Sequence, residues 1–157
     1  MNKKLLIILL LSLSVISCSD TEQKEKAGED SVSQSKILTV PQSQSDFDAA
    51  KVTRGGKLYQ QNCASCHGEN GEGDPNWRKR KVNGKLPPPP LNGTGHTWHH
   101  SKALLMTIIT NGTIDQGGEM PAWGGKLSQK DIDAILTWVQ STWTVEIYKH
   151  WLEINER

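Results

Sequence analysis

The chain has 157 residues, with 18 Lys plus Arg against 17 Asp plus Glu and a formal net charge of +1. About 107 residues remain from Lys51 onward, which suits one compact domain. Only three cysteines are present, so there is no second cysteine pair for a structural zinc site, and no Ser/His/Asp set, phosphate loop or paired-carboxylate pattern argues for hydrolase or transferase chemistry.

Lys3 and Lys4 open the chain, Leu5 to Ile16 form an apolar run broken only by Ser12 and Ser14, and Val15-Ile16-Ser17-Cys18 ends it. The run is too short to span a bilayer comfortably and reads as a signal-peptide core. Its last four residues resemble a bacterial lipobox. That resemblance implies cleavage before Cys18, lipidation of this cysteine, and a tether of acyl chains in place of a transmembrane helix. An ordinary cleaved signal with a chance cysteine is the alternative. Both readings place the chain outside the cytoplasm. Ser19, where an aspartate would retain the protein, hints by resemblance to enterobacterial sorting at the outer membrane.

Residues 18–50 are rich in Ser, Gln, Glu, Asp and Lys, with only Ile37, Leu38 and Val40 as an apolar cluster. Such a composition buries too little surface to offset chain entropy and predicts a flexible linker. About 30 residues of random coil reach roughly 30 Å, which would confine a tethered domain near the membrane surface. The expected organisation is a leader over 1–17, a linker over 18–50 and one domain over 51–157. Charge divides along the same line. Residues 19–50 carry three Lys against seven acids, net −4, and residues 51–157 carry thirteen Lys plus Arg against ten acids, net +3.

Gly55-Gly56-Lys57-Leu58-Tyr59 predicts a short helix that delivers Leu58 and Tyr59 inward before Cys63. Cys63-Ala64-Ser65-Cys66-His67 follows, and two thiols ending in an imidazole is the arrangement that attaches a c-type haem. Each thiol can add across one vinyl group, and His67 then falls beneath the iron as proximal ligand. A zinc knuckle and a thioredoxin-like dithiol share the two-residue spacing. The first lacks a second cysteine pair here, and the second lacks a βαβ pattern.

Arg78, Lys79, Arg80, Lys81 and Lys85 concentrate positive charge in the next segment, as a solvated loop, as a partner for haem propionates, or as steering toward an acidic redox partner. Nucleic acid is not an expected partner for an exported haem protein. Pro87 to Pro90 exclude helix and central strand. His96, His99 and His100 form a cluster that could supply a distal imidazole or bind copper or zinc, or could be surface residues at a helix start with Thr97 or Ser101 as cap. Leu104, Leu105, Ile108 and Ile109 predict a helix over 102–110 with Asn111-Gly112 as its stop, and Met106 reads as core filling. Ser128 and Asp131 form a capping-box-like pair, Leu127 and Ile132 a staple, and Ile132, Ile135, Leu136 and Val139 an apolar helix face. Residues 141–157 have the spacing of a further amphipathic helix, packed on the domain or free for docking.

These features together resemble the class I cytochromes c over roughly residues 52–152. Gly55, Leu58 and Tyr59 match the opening of that family, and Trp138 matches the aromatic residue of its last helix. The resemblance implies an all-α fold of short helices and loops around one covalent haem c, with Met120 of Gly117-Gly118-Glu119-Met120-Pro121-Ala122-Trp123 as distal ligand. Pro89 would accept the Nδ1 proton of His67, and Leu91 would contact the haem face. The connection from His67 is longer than in compact family members. The implied function is a membrane-tethered, periplasm-facing one-electron carrier and not an enzyme, working with respiratory redox proteins. Two alternatives remain: an open iron site for peroxide or a small ligand, and a copper-handling module at His96, His99 and His100.

Overall fold

A computed structural model describes residues 47–155. The leader, Cys18 and the linker up to residue 46 lie outside the described residues. Among the described residues the fold is all-helical with no strand. It comprises α1 (Ala49–Asn62), α2 (Ala64–His67), α3 (Lys102–Asn111), α4 (Gln129–Ser141) and α5 (Val145–Asn155), with single 3-10 turns at Thr97–His99 and Ile114–Gln116. None of these helices is long and apolar enough to cross a membrane.

α1 begins two residues ahead of the boundary expected at Lys51. The Asp48 carboxylate accepts from Lys51 N at 2.9 Å and so caps the first turn. α1 crosses α4 at Gly55, where a side chain would run into the Ala134 backbone. Tyr59 and Trp138 meet beside that crossing with ring centroids 4.1 Å apart. Tyr59, Leu127, Ile132, Ile135, Val139, Trp143 and Trp151 make the buried core.

α4 starts as the sequence predicts. Ser128 Oγ accepts from Asp131 N, and the Asp131 carboxylate accepts from Ser128 N, so both halves of the capping box are present. Charge then ties three helices together. Arg54 of α1 pairs with Asp131, while Lys51 of α1 and Lys102 of α3 both pair with Asp133.

α3 runs to Asn111, with Ser101 Oγ accepting from Leu104 N at its start and Gly112 at its end. Of the apolar face read from the sequence, Leu105 is buried, Ile108 and Ile109 are half-buried, and Leu104 stays 44% exposed. Protein covers that face only in part. α5 folds back on the domain: its Trp151 is buried and donates to His100 O at 2.9 Å, and Asn155 Oδ1 accepts from Lys102 N at 2.8 Å.

Candidate functional site

One helical turn brings Cys63, Cys66 and His67 together. His67 N donates to Cys63 O at 2.9 Å and Cys66 N to the same carbonyl at 3.1 Å. Positions i, i+3 and i+4 share a helix face, so the turn presents both sulfurs and the imidazole to one side. Cys63 is half-buried against the core, Cys66 is exposed, and neither is in a disulfide. Burial pushes the Cys63 thiol up to about 11, with the adjacent Cys66 adding to it. Tyr59 Oη donates to Gly68 O at 2.8 Å and pins the end of this turn to α1.

His67 Nδ1 stands 3.0 Å from the Pro89 carbonyl oxygen. A carbonyl can only accept, so Nδ1 carries the proton, and in the neutral ring Nε2 then keeps its lone pair. Burial lowers the pKa of His67 below its ordinary value, and the Pro89 bond offsets this in part. The ring is thus set as a neutral imidazole with one nitrogen free for a metal.

The Pro89 segment is held close to the motif by short loop contacts. Gly73 N donates to His67 O at 2.7 Å and Leu91 N to Gly71 O at 2.7 Å. Gly73 has φ +66°, and a Cβ there would lie 2.5 Å from the Pro89 carbonyl carbon, so only glycine fits. Leu91 is half-buried and packs against the core.

Met120 is half-buried in the loop between α3 and α4. Its backbone is clamped by Thr113, whose N donates to Met120 O at 2.8 Å and whose Oγ1 accepts from Met120 N at 3.2 Å. The neighbouring Glu119 carboxylate accepts from Lys81 Nζ at 2.6 Å and from Asn83 Nδ2 at 3.1 Å. The long connection after His67 therefore reaches across to the methionine loop. That pairing escaped the sequence reading, since 38 residues separate Lys81 from Glu119.

The histidine cluster does not gather. His96 stacks on Trp77 and meets His100 edge-on at 5.2 Å, whereas His99 lies on Trp98 at 3.7 Å. Among the described residues no group of three or more His, Cys, Asp or Glu side chains is placed to hold a metal ion, which removes the three-histidine copper site. The helix cap is Ser101. Thr97 instead donates through Oγ1 to Pro90 O at 3.1 Å. Trp143, read only as part of an apolar stripe, donates through Nε1 to Leu91 O at 2.7 Å. Burial of an indole was the available signal, because a buried N–H needs an acceptor.

The donor set fits a covalent haem. Two unpaired sulfurs and a neutral imidazole with a free Nε2 share one face, and Leu91, Met106, Ile109 and Trp123 pack on the core without being fully buried, leaving apolar surface for a macrocycle to cover.

The family described as cytochrome C oxidase, cbb3-type, subunit III matches residues 50–139. Among curated proteins, the chain is similar to the cbb3-type cytochrome c oxidase subunit FixP of Azorhizobium caulinodans, at 38% identity over 61% of this chain and 28% of that protein. It is similar to subunit CcoP of Azospirillum brasilense at 35% identity over 60% of this chain and 29% of that one. FixP of Bradyrhizobium diazoefficiens is 33% identical over 60% of this chain and 28% of its own length. The chain thus spans less than a third of the length of these relatives. No solved structure matches it. The matched region holds the run from Cys63 to His67 and the Pro89 and Met120 loops, and the chain belongs to the cbb3-type cytochrome c oxidase subunit III family of c-type cytochromes, whose domain carries covalently bound haem c with its iron.

Proposed function

We propose that this chain is a class I mono-haem cytochrome c, lipid-anchored at Cys18 outside the cytoplasm, that passes single electrons to or from a respiratory partner. Cys63 and Cys66 carry the thioether links, His67 and Met120 are the iron ligands, and Leu91 contacts the haem face. The observation that carries this reading is the His67 to Pro89 hydrogen bond, which commits Nδ1–H and leaves Nε2 for iron. Haem c supplies a one-electron ferric/ferrous couple. His67 and Met120 together would fill both axial positions, which leaves no place for substrate and favours electron transfer over chemistry at the metal. The Thr113 clamp on Met120 supports a fixed sixth ligand. The names of the relatives, all oxidase subunits, support a respiratory oxidase as the class of partner. Arg78, Lys79, Arg80 and Lys85 are charges that suit an acidic docking surface on it.

Oxidised and reduced optical spectra of wild type, Met120→Ala and His96→Ala test the ligand set. The methionine-to-iron charge-transfer band is expected in wild type and His96→Ala and absent from Met120→Ala. Its survival in Met120→Ala refutes the assignment, and rapid carbon monoxide binding by the ferrous wild type would favour an open site instead. Release of a Cys18→Ala protein from the membrane fraction tests the anchor.

A further inference from the structure

Four consecutive main-chain carbonyls, from Pro88 to Leu91, each accept from a different donor. Asp74 N donates to Pro88 O at 2.9 Å, His67 Nδ1 to Pro89 O at 3.0 Å, Thr97 Oγ1 to Pro90 O at 3.1 Å, and Trp143 Nε1 to Leu91 O at 2.7 Å. Residues 87–90 are all proline and have no N–H of their own. Such a segment cannot fix itself by donating, so its orientation depends on what donates to it. Two of the four donors come from buried side chains: Thr97 is 6% exposed and Trp143 is 4% exposed. Trp143 lies beyond residue 139, where the family match ends.

We propose that Thr97 and Trp143 are positioning residues for His67. By holding the Pro90 and Leu91 carbonyls they fix the adjoining Pro89 carbonyl in line with the imidazole N–H. The proposal rests on the reading of His67 as an iron ligand. A well-aligned Nδ1–H bond raises the donor strength of the ring and so stabilises ferric iron. Loosening the carbonyl weakens that bond and moves the equilibrium toward ferrous. Trp151 provides a matched control. It is equally buried at 4% and also gives its indole N–H to a backbone carbonyl, but that carbonyl is His100, away from the proline run.

The test is redox titration of holoprotein carrying Thr97→Val, Trp143→Phe or Trp151→Phe. Thr97→Val and Trp143→Phe are each expected to shift the ferric/ferrous equilibrium about threefold toward ferrous, a rise of ~30 mV at 59 mV per tenfold for one electron. Trp151→Phe is expected to keep the wild-type potential. Thr97→Val preserves side-chain shape, so it carries the test if Trp143→Phe does not mature. A wild-type potential in either mature variant, or an equal shift in Trp151→Phe, overturns the proposal. His67→Ala separates this failure from that of the ligand reading, because a wild-type low-spin spectrum in that variant refutes His67 as ligand whatever the other potentials show.

Discussion

Gly55 on α1 rests against the carbonyl of Ala134 on α4 with no room for a methyl group between them. Gly55→Ala would gain about 1 kcal/mol of helix propensity but would force the helices apart, a strain of about 1–3 kcal/mol or more at a tight crossing. The clash is with backbone, which cannot rotate away, so the net effect is expected to be destabilising. Denaturant unfolding of the holoprotein measures it, and a midpoint at or above wild type would contradict the packing described.

Tyr59→Phe is expected to keep the core but lose the bond to Gly68 O, at a cost of about 1 kcal/mol. The Tyr59 hydroxyl titrates above its ordinary value of 10.0, chiefly through burial, with Cys63 and Glu72 adding to it. The proposed thioether at Cys63 would remove that charge, and burial remains. The fold favours the protonated phenol, so its stabilisation is complete below pH 10 and is lost as pH rises beyond that value. Tyr59→Phe should therefore flatten the alkaline limb of a stability-against-pH curve. An unchanged limb would assign the alkaline loss elsewhere.

Acid should act through α4. Asp131 is held below its ordinary 3.8 by the hydrogen bonds from Ser128 and then Arg54. At Asp133 burial acts upward, but the bonds from Lys102 and Lys51 outweigh it and the net shift is downward. Carboxylates depressed in the fold stabilise it above pH 3.8 and lose that contribution as pH falls below. Asp133→Asn should make unfolding less dependent on pH in this acid range while lowering stability at neutral pH. Circular dichroism melts at a series of pH values give both readings.

Loss of either sulfur should leave a single thioether. Cys66→Ala should retain covalent haem with the spectral change of one saturated vinyl, while the Cys63→Ala, Cys66→Ala double variant should yield its pigment to acidified acetone. Covalent haem in the double variant would place the attachment elsewhere.

Local patterns made the helices legible. Ser128 with Asp131 announced the start of α4 and Asn111-Gly112 the end of α3, because caps are written within four residues. Gly55 and Trp138 were legible through resemblance as the two ends of a helix crossing, and Gly55 meets Ala134 of α4 while Trp138 meets Tyr59 of α1. Contacts between distant segments were not. Lys81 with Glu119 and Trp143 with Leu91 lie 38 and 52 residues apart, and neither pair leaves a periodic mark. Asp48 was assigned to the linker because its surroundings are polar, yet one side-chain bond to Lys51 N is enough to start a helix there.

The proline run also acts before any of its carbonyls has a partner. Four pyrrolidine rings fix φ in succession, so the unfolded polypeptide already samples an extended rod at residues 87–90 and has little freedom left there to surrender. Replacing Pro87, whose carbonyl has no place in the bonded series, should weaken the domain by about 0.4–1 kcal/mol through the denatured ensemble, in addition to the packing that its buried ring loses. Rigidity at the site of the cofactor is in this sense partly inherited from the disordered chain.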